Sequence, residues 1–184
     1  MNRLIIACLS KKHYYYRSMK KTLLLSLFLL SVTVSNAQNY KMHTIFMYTF
    51  TRYIQWPDSY NKGDFEILIF GDSPITEELK AMAKSKKVGD RNIKVTRINS
   101  VAEIRKCNIL FVPSEKSSQL ADVLTKVNTQ SILVVTEEPG LAAKGSNINF
   151  IAKDGKPAIE LNQASMNKQS LKTSNELTRL AILI

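Results

Sequence analysis

Cysteine and histidine are scarce in this sequence, since its 184 residues contain only two of each. A disulfide-built scaffold is therefore excluded, because small domains of that kind are dense in cysteine. Hydrophobic residues make up 45% of the chain and charged residues 22%, so intrinsic disorder is excluded as well. Neither a GxGxxG segment after a strand nor a GxxxxGKS/T segment occurs, and these are the usual signatures of nucleotide binding. We therefore predict a globular protein with no cofactor.

Catalysis and metal binding find little support. Past residue 37, histidine and cysteine occur once each, as His43 and Cys107, which predicts no metal site. A Ser-His-Asp triad would have to use His43, which we place on the surface of a helix, and no GxSxG elbow accompanies any serine. Cys107 opens an apolar run and is interpreted as a buried, inert thiol, with a reactive or intermolecular cysteine as the alternative. An exported hydrolase is thus the least favoured function.

Acidic residues are absent from residues 1–37, which hold six of the 26 lysines and arginines. The remaining 20 basic residues stand against 15 acidic ones, so residues 38–184 carry a net charge of only +5 rather than the +11 of the whole chain. A nucleic-acid partner is not expected from so mild an excess. The charge instead marks the first segment as distinct from the rest.

That first segment has the layout of a secretory signal peptide. Lys20 and Lys21 form a positive region after Met19, a leucine-rich stretch runs from Thr22 to Val34, and small residues precede a cut before Gln38. A transmembrane anchor is the less favoured alternative, because a span needs ~20 apolar residues. We predict a cleavable signal peptide over residues 1–37, initiated at Met19, and an exported, periplasmic α/β domain over residues 38–184.

The exported part begins with a predicted helix. Apolar residues recur at spacings of three and four between Tyr40 and Ile54, and Trp56-Pro57 ends the helix, because the residue before proline avoids helical geometry. The stripe consists of Met42, Ile45, Phe46, Phe50, Tyr53 and Ile54.

Strands and helices alternate in the remainder. Nearly continuous apolar runs at 65–70, 108–112 and 131–136 are typical of a parallel sheet covered on both faces. Segments 147–153 and 156–161 flank Asp154-Gly155 and predict a hairpin. We predict one α/β domain of three layers, Rossmann-like, with a mostly parallel sheet and the antiparallel hairpin at one edge. A terminal amphipathic helix would carry Leu177, Leu180, Ala181 and Ile184.

Loops that follow parallel strands gather along one edge of the sheet. Asp72, Ser114 and Glu138 lie in three such loops and are candidate ligand-binding residues in a crevice. Helix capping explains the same residue types and is the favoured reading of each one taken alone.

Aromatic residues concentrate near the first helix and could form a surface that binds a protein partner. Only the exposed members could bind, because others must pack in the core. The candidate partner-binding residues are Phe46, Tyr48, Phe50, Tyr53 and Trp56. A basic run nearby is interpreted as a solvated face, with a partner or anionic-lipid contact as the alternative; it comprises Lys80, Lys84, Lys86, Lys87 and Arg91.

The order of these segments resembles that of the YfiR-like family of periplasmic regulators. Lys41 to Pro57 is similar to that family's opening aromatic helix, and Phe65 to Pro74 to its first strand and turn. Cys107 to Phe111 is similar to its central strand. The hairpin region and the closing helix from Leu171 onward follow in the same order.

The resemblance implies an exported regulator without enzymatic activity. The family prototype is a dimer that represses a membrane diguanylate cyclase by binding its periplasmic part. It uses disulfides, which a lone Cys107 cannot form within the exported chain. We therefore expect a protein that binds the periplasmic part of a membrane signalling protein, either a diguanylate cyclase or a sensor kinase, with a homodimer as a further expectation. A periplasmic small-ligand-binding protein is the alternative.

Overall fold

An eight-stranded sheet forms the centre of residues 40–184, which are the residues that the computed structural model describes. The predicted signal peptide, residues 1–37, lies outside the described residues. These residues contain ten strands, of which all but β1 and β9 belong to this sheet. They are β1 (Ile54–Gln55), β2 (Phe65–Phe70), β3 (Lys87–Val88), β4 (Arg91–Ile98), β5 (Ile109–Val112), β6 (Leu133–Thr136), β7 (Ile148–Lys153), β8 (Lys156–Leu161), β9 (Lys172–Thr173) and β10 (Ile182–Leu183).

Five helices accompany the strands in this part of the chain. They are α1 (40–53), α2 (Ile75–Ser85), α3 (Leu120–Val127), α4 (Gln163–Lys168) and α5 (Asn175–Leu180). Short 3₁₀ turns occupy Asp58–Tyr60, Val101–Glu103 and Ser114–Gln119. The first helix thus ends just before Trp56-Pro57, as the sequence predicted.

The sheet is mostly parallel, with strand order β10-β8-β7-β6-β5-β2-β4-β3. The five central strands, from β7 to β4, run parallel to one another. At one margin β8 runs antiparallel to β7, and at the other β3 runs antiparallel to β4. A separate antiparallel pair joins β1 to β9, with Ile54 opposite Thr173.

Both faces of the sheet are buried. Successive side chains of a strand point to opposite faces, so each central strand contributes side chains to both. In β2, Ile67 and Ile69 belong to one apolar cluster, whereas Leu68 and Phe70 belong to another. The first cluster includes residues of α1, α2, α4 and α5, and the second includes residues of α3. This placement explains why the central strands read as continuous apolar runs.

The predicted hairpin is confirmed, but its predicted position at the edge is wrong. Lys153 pairs with Lys156, and the two loop residues, Asp154 and Gly155, have φ of 52° and 72°. Positive φ at both loop positions is what a tight two-residue hairpin turn requires. The edge beyond β8 is covered by β10, which runs parallel to it.

The predicted terminal helix is too long by its last residues. It ends at Leu180, after which Ile182 and Leu183 pair with Glu160 and Leu161 of β8. The Ile184 N–H donates to the Leu161 carbonyl at 3.0 Å. These residues form hydrogen bonds with backbone groups of β8 that an exposed edge would leave unpaired. The strand is therefore favoured over one more helical turn.

Candidate functional site

The predicted aromatic site around α1 divides between core and surface. Phe50 is fully buried and Trp56 is only 6% exposed. The Trp56 indole Nε1 donates to the carbonyl of Asn108 at 3.2 Å, and its ring meets Phe65 edge to face. These two residues therefore hold α1 and its end on the sheet, and they offer no surface to a partner.

The other three predicted residues are half-buried. Phe46 packs beside Phe50 and Phe150, with ring centroids 6.5 and 6.0 Å apart. The Tyr48 hydroxyl donates to the Lys87 carbonyl at 3.3 Å, which ties α1 to β3. Tyr53 also packs against the first apolar cluster with part of its ring exposed. Their outer parts remain available for contact.

Ile45 is the surface residue that the sequence interpretation missed. The sequence assigns Ile45 to the apolar stripe of the first helix, but 58% of this residue is exposed. The buried line of α1 instead runs through Met47, Phe50 and the following Ile54, at spacings of three and four. Ile45 lies two residues before Met47, on a different side of the helix.

A groove of about 610 Å³ lies between α1 and α2, and Ile45 lines it. Half-buried Met82 and exposed Ala81 form part of its α2 side. Its charged residues are mostly basic, with the ammonium of Lys86 lying 5.8 Å from the centre of the Tyr48 ring. The full lining is Lys41, Thr44, Ile45, Tyr48, Thr49, Arg52, Glu78, Ala81, Met82, Ser85 and Lys86.

The three predicted ligand residues are not joined by any recorded contact. Asp72 is exposed and forms an ion pair with Arg97. Exposed Ser114 donates its N–H to Glu137 at 3.2 Å, and not to Glu138. In the described part of the chain, the groove between α1 and α2 is not lined by Asp72, Ser114 or Glu138.

Glu137 gathers polar groups at this edge instead. Its carboxylate accepts from the Tyr40 hydroxyl at 3.4 Å and lies 3.5 Å from Nδ1 of His43. Burial, followed by the negative charge of Glu137, raises the pKa of Tyr40. The His43 ring stacks on Phe150, with centroids 4.0 Å apart, so the residue predicted to be partly exposed is largely packed. The first turns of α1 are thereby anchored to the end of β6.

A family model described as YfiR/HmsC-like matches residues 40–182, which is nearly all of the part of the chain that the structure describes. The chain belongs to the YfiR/HmsC-like family. This is a family of periplasmic regulators of signalling proteins and not a family of enzymes. No curated protein matches the chain. The resemblance read from the order of segments is confirmed.

The YfiR/HmsC-like domain has a second cleft, of about 390 Å³, at the amino ends of its central strands. Asn108 is 3% exposed and organises this end. Its side-chain Oδ1 accepts from the Glu66 N–H at 3.0 Å and from Nη2 of Arg91 at 3.1 Å, and its Nδ2 donates to the Tyr60 carbonyl at 3.2 Å. Asn108 therefore joins the loop that follows α1 to two strands.

Cys107 borders the same cleft but is buried, as predicted. Burial raises the pKa of its thiol, so the thiolate needed for reaction is disfavoured. In the described residues, no group of three His, Cys, Asp or Glu side chains could hold a metal ion. Among the helices of residues 40–184, none is both long and apolar enough to span a bilayer.

Proposed function

We propose that this member of the YfiR/HmsC-like family is an exported, non-enzymatic regulator that binds the periplasmic part of a membrane signalling protein and modulates its activity. Diguanylate cyclases and sensor kinases are the two partner classes proposed. The observation that carries the proposal is the exposed side of α1, where Ile45 and the outer parts of Phe46, Tyr48 and Tyr53 face solvent while Met47 and Phe50 pack into the core. Apolar and aromatic surface of this kind is enriched at protein interfaces.

The proposal includes the export route and the finer architecture. Residues 1–37 are proposed to be removed as a signal peptide, which leaves residues 38–184 in the periplasm. The division of apolar residues into two clusters, one with α1 and one with α3, supports a three-layer, Rossmann-like arrangement. This arrangement presents α1 outward on a rigid sheet, and rigid elements hold binding surfaces more accurately than loops do.

Regulation by such a protein requires that it bind two states of its partner unequally. A binder with equal affinity for the active and inactive states does not shift the equilibrium between them, however tightly it binds. We propose that α1 contacts an element of the partner that moves between those states. Phe50 and Trp56 support that contact from the core, since both anchor α1 to the sheet.

In-cell photo-crosslinking tests this proposal. A photo-reactive residue replaces Arg52 on α1 or, as the control, Lys126 on α3, both of which are exposed. We expect the Arg52 position to capture one membrane signalling protein and the Lys126 position to capture much less of it. Deletion of the regulator should then change that protein's output, measured as cyclic dinucleotide level or as phosphorylation. Capture of no membrane protein from either position would refute the proposal.

A small-ligand-binding protein is the second candidate, because polar atoms remain unpartnered at the carboxyl edge of the sheet. In the part of the chain that the structure describes, the Ser73 hydroxyl is buried without a hydrogen-bond partner, and the buried Nδ1 of His43 has no hydrogen bond although it lies 3.5 Å from the Glu137 carboxylate. Buried polar atoms are normally satisfied, and a small polar ligand near Asp72, Ser114 and Glu138 could reach them. A thermal-shift screen of metabolites tests this, since a ligand at 100 times its Kd stabilises by ~2.7 kcal/mol. Failure of every metabolite class to shift the melting temperature would count against it.

A homodimer is also part of the proposal, taken from the family prototype. Sedimentation of the purified protein across a hundredfold range of concentration would detect it. A purely monomeric protein over that range would remove the dimer from the proposal.

A further inference from the structure

We propose that the groove between α1 and α2 receives an amphipathic helix whose flanks are acidic. This inference rests on the proposed function, because the helix would belong to the membrane partner. It specifies what binds the exposed side of α1, and it makes Ile45, rather than the aromatic residues, the central contact.

The α1 side of the groove has the length of a short helix. Lys41, Ile45, Thr49 and Arg52 follow one another at spacings of four, four and three along α1 and line the groove together. Residues at such spacings share one helix face. At 1.5 Å per residue this row is about 16 Å long, which equals about three helical turns. An amphipathic helix that docks in a groove uses anchors with the same spacing.

The middle of the row is apolar and its ends are charged. Ile45 is 58% exposed, and Met82 and Ala81 lie on the α2 side of the same groove. An apolar side chain of the partner would bury Ile45, which the isolated domain leaves in water. Apolar anchors at the centre of the docking helix are therefore expected.

The charges at the rim select acidic flanks. Lys41 and Arg52 stand at the two ends of the α1 row, Lys86 lies on the α2 side, and Glu78 is the one acidic residue of the lining. Opposite charges across an interface speed association and exclude wrong partners. Carboxylates placed near the two ends of the docking helix would meet these cations.

An anionic membrane is the competing occupant, since it also offers negative charge and apolar material. The apolar residues here lie between two helices, along a row whose spacing matches the anchors of a docking helix. We therefore assign the groove to a peptide segment and make lipid binding an outcome of the test.

The test uses a fluorescent synthetic helix of 15 residues with leucine on one face and glutamate on its flanks. Its anisotropy is measured with the full protein purified from producing cells. Ile45→Asp and Arg52→Glu are compared with Leu180→Asp and Arg179→Glu on α5, because Leu180 is 59% exposed and Arg179 is exposed. We expect Ile45→Asp to weaken binding at least tenfold and Arg52→Glu severalfold, with the α5 variants unchanged. A peptide with lysine in place of glutamate should not bind.

Three results would overturn the inference. The first is that the glutamate peptide does not bind, and the second is that it binds wild-type and Ile45→Asp protein equally. The third is that the protein binds phosphatidylglycerol vesicles but not the peptide, and that Ile45→Asp abolishes the vesicle binding. In-cell capture separates this inference from the proposed function. If the Ile45→Asp protein still captures the partner from position 52, the groove is not the site although the regulator stands. If the wild-type protein captures no membrane protein, the proposed function itself fails.

Discussion

Replacement of Asn108 by alanine tests whether one buried side chain holds the loop around Tyr60 on β2 and β4. The change removes three hydrogen bonds and leaves the Glu66 N–H and the Tyr60 carbonyl without their partner. Each unsatisfied buried group costs about 1–3 kcal/mol, and the lower end applies here because both groups are only partly buried. With the lost bond to Arg91, we expect a decrease of about 3 kcal/mol in the free energy of unfolding. That decrease corresponds to about 6–12 °C in Tm for a domain of this size.

Urea denaturation followed by tryptophan fluorescence measures this decrease, because Trp56 is the only tryptophan and its indole bonds to the Asn108 backbone. Asn167→Ala is the control, since Asn167 is exposed on α4 and should change stability by less than about 0.5 kcal/mol. A double-mutant cycle with Arg91→Met should give a coupling of about 0.5–3 kcal/mol. An Asn108→Ala protein as stable as the Asn167→Ala protein would refute the reasoning.

Three further predictions concern the core, the edge strand and the hairpin. The Cys107 thiol should react with a disulfide reagent at pH 8 only after unfolding, because burial raises its pKa; rapid reaction of the native protein would contradict this. Removal of residues 182–184 should lower the urea midpoint and promote association, because β8 becomes an open edge; sedimentation and denaturation identical to wild type would argue against it. Gly155→Ala should destabilise by about 1 kcal/mol, because its φ of 72° suits glycine; an unchanged urea midpoint would be inconsistent with that turn.

The central architecture could be read from the sequence because its signals are local. The apolar run at 65–70 is β2 in full, and the Asp154-Gly155 turn joins two strands as expected. The last residues were misread because Leu177, Leu180 and Ile184 also fit a helical period. What decides their conformation is the unpaired edge of β8, which is distant in sequence and appears in no local pattern.

The burial and contacts of the candidate site residues could not be predicted from the sequence, for reasons of geometry. One position along a chain decides which carboxylate points inward at the end of a strand. Glu137, the residue directly after β6, contacts Tyr40 and Ser114, whereas the predicted Glu138 does not. The aromatic residues directed the prediction to α1, but residue type could not tell the buried Phe50 from the half-buried Tyr48.

The pairing of β1 with β9 makes the proposed binding face depend on residues far apart in the sequence. The Tyr53 carbonyl at the end of α1 accepts from the Ser174 N–H at 2.9 Å, and Ile54 pairs with Thr173. On the proposed export route the amino end crosses the membrane first, so this pairing can form only after Thr173 and Ser174 have followed. A chain that is cut short or only partly translocated would lack that support. The helix proposed to engage the partner therefore has two supports: its core contacts with the sheet, and a backbone pairing that depends on residues more than a hundred positions later.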